Sequence, residues 1–275
     1  MYSNAPLFCG CFLQFLIMFL YPNYKLMISA VMYADDILLL TPSVEVMQNL
    51  ICLCQTSFED VLLHFNVSKC AALRVGARHK SPCASLEALD GSIIPWVNEF
   101  KYLGVVLAQG THLKVNVHHN KVNFFKSFNN LYGKLGSSSS VESIVHLMKV
   151  NCLTAMLYNL ESVVLNKSDL NKLEFSLGRA FVKIFHIRDC NSLNWCKYYM
   201  NQLPIEMLLD LKRIMYLQKI VSNPDCFILC HMFGQILHAS LFELFSKYTI
   251  DAAKKINSVD ARIQMMNVLF VKLSA

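Results

Sequence analysis

Charge is scarce in this sequence: only 16% of its 275 residues are Asp, Glu, Lys or Arg, against 55% hydrophobic. Glycine (nine) and proline (seven) are also few, which excludes collagen-like and low-complexity chains. With a mean hydropathy of +0.38 the chain is too apolar to stay disordered and must bury surface. Its length suits one large or two small domains. A spaced disulfide framework is missing as well. The eleven cysteines are an odd, scattered set, including Cys52, Cys54 and Cys152, and read as reduced and mostly buried. Cys226, Cys230 and His231, with Cys190 and Cys196 as the nearby thiol pair, fit no common closed tetrahedral zinc spacing. Asn66 and Asn166 open glycosylation acceptor triplets, which matter only in a secreted chain. The net charge of +6 suits a polyanionic partner and equally an ordinary intracellular protein.

The first 32 residues contain no Asp or Glu, and Met1–Asn4 carries no basic side chain. A secretory signal, which needs a basic start and a small-residue cleavage site, is therefore not expected. Within the apolar N-terminal segment 1–24, Ala5–Tyr21 is uncharged for seventeen residues, the lower limit of the roughly 17–25 that cross a membrane. Three readings stay open: a membrane anchor, a buried helix, or a stretch left by truncation of a longer reading frame.

Two short apolar runs, Leu26–Met32 and Ile37–Leu40, flank Tyr33-Ala34-Asp35-Asp36 and predict a hairpin with both carboxylates at its tip. Ser43 is a candidate N-cap for an amphipathic helix in which Met47, Leu50, Ile51, Cys54, Phe58, Val61 and Leu62 recur at threes and fours. Ala71–Val75 reads as a strand, Asp90-Gly91 as a hairpin turn, and Phe100–Leu107 (FKYLGVVL) as one strand on the same sheet as the acidic hairpin. Beyond Gly110 helical periodicity takes over. Helices are expected over Val115–Tyr132, Val141–Leu160 with Ser139 and Glu142 as a capping box, Leu170–Phe185, Ile205–Val221 and Asp225–Tyr248. The first of these should turn its lysines to solvent and bury Val117, Val122, Phe125 and Leu131 to differing depths.

Two consecutive aspartates at the turn of an apolar hairpin repel each other unless a cation lies between them, and Mg²⁺ takes such hard oxygen ligands. A solvated turn is the plainer reading, since Asp is common in turns. The flanks favour the first. MYADDILLLTPS (Met32–Ser43) resembles the catalytic tyrosine-x-Asp-Asp hairpin of reverse transcriptases, and its continuation resembles the LINE-type (non-LTR, jockey-like) retrotransposon branch. FNVSKC (Phe65–Cys70) is similar to that branch's next palm motif, and FKYLGVVL to its primer-grip strand. KVNFFKSFNNLYGKL and CLTAMLYNLESVVLNKSDL resemble its thumb and following region, so the resemblance extends over about Leu26–Leu209.

The resemblance implies an α+β fold, with a partial polymerase palm (antiparallel sheet and packed helix) over 25–110 and a helical thumb and C-terminal region over 111–275. It implies that Asp35 and Asp36 bind catalytic Mg²⁺ (or Mn²⁺) and that Lys69 serves the triphosphate. Tyr33 would border the primer terminus, and Tyr102 and Gly104 would position the primer backbone. An RNA template and a DNA primer are the partners implied. In the family another metal-binding aspartate, the fingers and a nucleotide-selecting motif lie upstream of this hairpin. The acid-free segment before Tyr33 cannot supply that aspartate, so the chain is expected not to polymerise alone. Two further readings are a non-catalytic nucleic-acid-binding remnant, contacting phosphates through Lys114, Lys121, Lys126 and Lys134, and a small protein anchored to a membrane by Ala5–Tyr21.

Overall fold

Short apolar runs on either side of Ala34-Asp35 pair as β1 (Ala30–Tyr33) and β2 (Asp36–Leu39), antiparallel, with Tyr33 opposite Asp36 and Ala30 opposite Leu39. The computed structural model describes residues 30–60, 62–64, 66–136, 139–163, 165–187, 189–223, 227–251 and 256–274. Leu26–Ser29 of the expected hairpin and all of Ala5–Tyr21 lie outside the described residues. Among the described residues no helix is long and apolar enough to cross a membrane. The chain divides into two units between Asn116 and Val117.

In the first unit, Ser43 caps α1 (Val44–Glu59) by accepting a hydrogen bond from the Val46 N–H at 3.3 Å. The helix stops sooner than its apolar spacing suggests. Leu62 takes a left-handed φ of +60° and the Leu63 N–H folds back to the Phe58 carbonyl, so Leu62 is 84% exposed rather than on the buried face. Ile51 of α1 packs with Leu86 of β3 (Leu86–Glu87) and Ile94 of β4 (Ile93–Ile94), and Leu39 at the end of β2 leans on the same cluster. Gln48 ties helix to sheet in both directions. Its amide donates to the Glu87 carbonyl (2.7 Å) and its oxygen accepts from the Glu87 N–H (2.9 Å), as a neighbouring strand would. The β3–β4 loop turns at Asp90-Gly91, where Gly91 has φ +78° and Asp90 accepts from the side chain and N–H of Ser92. Those two hydrogen bonds hold the Asp90 carboxyl below its ordinary range.

Phe100–Leu107 is not a single strand, and it does not pair with the acidic hairpin. It folds back on itself as β5 (Glu99–Tyr102) and β6 (Val105–Ala108), which with β7 (Lys114–Val115) make a separate three-stranded antiparallel sheet. The reason is local: Leu103 (φ +46°) and Gly104 (φ +86°) both adopt left-handed backbone, the signature of a two-residue turn whose twist matches the strands. Ala71–Val75 likewise forms no strand, only isolated bridges from Ala72 to Trp96 and from Val75 to Gly110. Val115 belongs to β7, where it pairs with Leu107 and is buried, so the following helix starts later than its sequence pattern suggests.

The second unit is helical: α2 (His118–Leu135), α3 (Val141–Leu147), α4 (Lys167–Phe185), α5 (Cys190–Tyr199), α6 (Ile205–Ser222), α7 (Phe227–Lys247) and α8 (Ser258–Ser274). Ser140, not Ser139, caps α3, accepting from the Ser143 N–H. The helix expected over Val141–Leu160 widens into π geometry across Met148–Leu153 and ends in short turns that include left-handed Asn159. Buried polar contacts then fix the helices against one another. The Asn120 amide donates to the Met156 carbonyl (3.0 Å), and Arg213 donates to the Glu161 and Val163 carbonyls. Lys247 and Tyr248 converge on the Asp210 carboxylate, each at 2.7 Å.

Candidate functional site

The YADD sequence occupies the tip of the first hairpin. Ala34 and Asp35 form the connection, Ala34 with a left-handed φ of +50° that costs a residue bearing Cβ on the order of 1 kcal/mol. A two-residue hairpin turn demands that conformation, and Gly or Asn usually supplies it. Here the strain sits on the residue that orients the acidic pair. Asp35 and Asp36 are both exposed, whereas Tyr33, across the register from Asp36, is half-buried. Because cross-strand partners project to the same face, the Tyr33 ring and the Asp36 carboxylate share one side of the hairpin.

Lys69 closes a short 3-10 turn (Val67–Lys69) and is exposed. Among the described residues no hydrogen bond or ion pair joins it to Asp35 or Asp36. Tyr102 ends β5 and is buried; Gly104 is the second residue of the β5–β6 turn. Both carboxylates are hard oxygen donors and fit Mg²⁺ in donor type, yet two ligands leave most coordination positions to water. Among the described residues no group of three or more His, Cys, Asp or Glu is placed to hold a metal ion. Cys226, Cys230 and His231 lie outside the described side chains. Cys70, next to Lys69, is a free thiol that burial pushes up, as it does Cys54 and Cys152, which makes all three weak nucleophiles.

The four lysines do not form one stripe. Lys114 lies on β7, in the first unit, and only Lys121, Lys126 and Lys134 are on α2. At 100° per residue, Lys126 and Lys134 are turned about 140° from Lys121 in opposite senses. The buried face of α2 is Asn120, Phe124 and Phe128, with Val117 buried just before the helix. Val122, Phe125 and Leu131 are half-buried. The sequence pattern missed the Phe124–Phe128 pair, whose rings stack at 6.0 Å, because the apolar residues of this segment offer two competing stripes.

Sequence reasoning also missed the cations of α4. Lys183 donates to Asn129 of α2 (3.2 Å) and lies 4.8 Å above the Tyr132 ring, so a residue 54 positions on from Asn129 completes the surface beside it. The only advance sign is that Lys172, Phe175, Arg179 and Lys183 recur at threes and fours in Leu170–Phe185.

No curated protein and no solved structure matches the chain. A family model does match, described as reverse transcriptase (RNA-dependent DNA polymerase), over residues 2–107, which is 106 of the 275 residues. That family takes an RNA template and a DNA primer and uses Mg²⁺. The matched stretch contains the acidic hairpin, the Lys69 turn and the β5–β6 turn with Tyr102 and Gly104. Residues 2–107 are therefore similar to the reverse transcriptase family, and every residue with an implied catalytic or primer-positioning role falls inside them.

Proposed function

We propose that this chain carries the C-terminal palm and the thumb-side helices of a LINE-type, non-LTR retrotransposon reverse transcriptase. The observation that carries the proposal is the two-residue turn that presents Asp35 and Asp36, exposed and adjacent, at the tip of a hairpin within the matched residues. Asp35 and Asp36 are the residues that would hold Mg²⁺, which when bound supplies Lewis-acid stabilisation of the attacking and leaving oxygens in nucleotidyl transfer. Tyr33, on the Asp36 side of the hairpin, borders the primer end. Lys69 places a positive charge for the departing pyrophosphate. Tyr102 and Gly104 set the β5–β6 turn against the primer backbone.

Two carboxylates on one turn do not fix two ions at the spacing an in-line displacement needs. No acidic residue precedes Asp35 in this sequence, so the residues before the hairpin supply no carboxylate to oppose the pair. The 275-residue chain by itself does not incorporate nucleotides. Primer extension on an RNA template tests this in two arms. Alone, the chain incorporates no more than its Asp35→Ala, Asp36→Ala variant. Mixed with a fragment of a LINE-type enzyme that supplies fingers and the upstream palm aspartate, it extends the primer, and the double substitution abolishes extension. Incorporation by the chain alone would overturn the incompleteness claim. Extension in the mixture that ignores both aspartates would overturn the hairpin's role.

A further inference from the structure

The seam between α2 and α4, both in the second unit, contains two successive hollows. The first, about 560 Å³, is lined by Lys121 of α2 and by Lys167, Ser168, Asn171, Lys172 and Phe175 of α4. The second, about 520 Å³, lies between Phe125, Phe128 and Asn129 of α2 and Arg179, Val182 and Lys183 of α4. The two helices run in the same direction here. Lys121 faces the start of α4, and eleven residues later the Tyr132 hydroxyl donates to the Lys183 carbonyl (3.1 Å). From Ser168 to Lys183 the seam is about 23 Å long, at 1.5 Å per helical residue.

Its charge is one-sided. Five permanent cations, Lys121, Lys167, Lys172, Arg179 and Lys183, stand along it against the single carboxylate of Asp169, which Lys172 holds at 2.7 Å, a net of +4. The other acid of α4, Glu174, is directed elsewhere: its oxygens meet the Lys197 ammonium (2.6 Å) and the Ile205 N–H (2.7 Å). Among these cations stands Phe175, 62% exposed, one turn from both Lys172 and Arg179. An apolar ring kept in water between cations matches a ligand that alternates phosphate with a flat base. Such a ring stacks on an unpaired base of any sequence, whereas a duplex keeps its bases stacked inside. Asn129, Asn171 and Ser168 add neutral hydrogen-bonding groups between the charges.

We propose that the α2–α4 furrow binds single-stranded nucleic acid, with phosphates along the five cations and a base on Phe175. The proposal deepens the nucleic-acid part of the function above, on which its partner class rests, but it requires nothing of the Asp35–Asp36 hairpin. It also divides the α2 lysines: Lys121 lines the furrow, while Lys126 and Lys134 point away from it.

The test is a salt titration of the 275-residue chain binding a fluorescent single-stranded oligonucleotide, as RNA and as DNA, with a duplex of equal length alongside. A furrow variant (Lys121→Gln, Lys167→Gln, Arg179→Gln) is compared with a charge-matched variant of exposed lysines outside it (Lys126→Gln, Lys134→Gln, Lys219→Gln). The furrow variant lowers the slope of log affinity against log salt by about 2, at roughly 0.7 for each phosphate that is no longer neutralised. The charge-matched variant leaves that slope unchanged. Phe175→Ala weakens single-strand binding on the order of tenfold with the slope intact, and Phe175→Trp restores it. Equal losses in the two triple variants, unchanged binding by Phe175→Ala, displacement by polyglutamate as effective as by oligonucleotide, or no binding by the wild-type chain would each overturn the furrow. Loss of the furrow leaves the hairpin reading intact if the complementation assay still depends on Asp35 and Asp36.

Discussion

The acidic hairpin tip and the basic α2–α4 furrow are opposites in charge and in construction. The hairpin's chemistry is four consecutive residues, presented by a turn whose geometry the neighbouring strands impose. The furrow's cations span positions 121 to 183 and belong to one surface only because α2 packs against α4, with Phe128, Asn129 and Tyr132 meeting Lys183. A contiguous motif stays recognisable wherever the chain carries it. A distributed one exists only if the fold is intact, so stability and ligand binding should be coupled in the furrow and much less so at the tip.

Phe124→Ala puts the greatest strain on that contrast. The side chain is fully buried, and emptying its site costs about 3–5 kcal/mol, with the loss of salt-dependent nucleic-acid binding at the same denaturant concentration that unfolds the helices. Urea unfolding followed by circular dichroism beside the binding assay checks it; binding that survives the unfolding of α2 would separate the ligand site from the furrow.

A smaller effect is expected at the β5–β6 turn. Gly104→Ala forces a Cβ into φ +86° and should destabilise the first unit by about 1–2 kcal/mol while leaving the furrow's affinity unchanged. Urea melts of the variant beside its oligonucleotide titration measure both. The converse change, Ala34→Gly, relieves the left-handed strain at the hairpin tip. It should stabilise by about 1 kcal/mol or slightly less, yet reduce extension in the complementation assay as the acidic pair loses its fixed orientation. Extension equal to wild type would mean that the strain at Ala34 does nothing for the aspartates.

The smallest expected effect is a pH dependence in the helical unit. Lys149, half-buried, donates to the Met200 and Asn201 carbonyls, and desolvation first, then the Arg262 charge, push its ammonium down to about 8. Between about pH 8 and the ordinary lysine range near 10.5 the unfolded chain thus binds more protons at this site than the folded one, and its contribution to stability rises with pH. Lys247 works in the other direction. Asp210 and Glu206 raise its pKa against desolvation, so its contribution is complete below its ordinary value and is lost as pH climbs beyond it. In thermal melts from pH 7 to 10, Lys149→Met should lower the slope of Tm against pH relative to the wild-type chain, whereas Lys247→Met should not.

Several elements are legible in the sequence because their signals are local. The Ser43 cap, the hairpin around Ala34-Asp35, the Asp90-Gly91 turn and the helices ending near Phe185 and beginning at Ile205 all follow from side chains acting on their own backbone or from a single apolar period. FKYLGVVL misleads for the opposite reason. Its apolar run reads as one strand, but turn geometry at Leu103-Gly104 outweighs β propensity and returns the chain on itself. Val115 has the spacing of a helical residue among its neighbours, although pairing with Leu107 buries it in a sheet. Leu62 continues the helical period of α1, whereas the chain reversal after Asp60 leaves it in solvent.

Composition and contiguous motifs need no partner from elsewhere in the chain. They are therefore enough to establish that this chain must fold, that an acidic pair tops an apolar hairpin, and which family residues 2–107 are similar to. Which lysines share a surface is settled by packing. Lys121 lies beside Lys167 and Lys172 rather than beside Lys126 and Lys134, since helical rotation separates neighbours in sequence by large angles while packing of α2 on α4 brings distant residues within reach of one ligand.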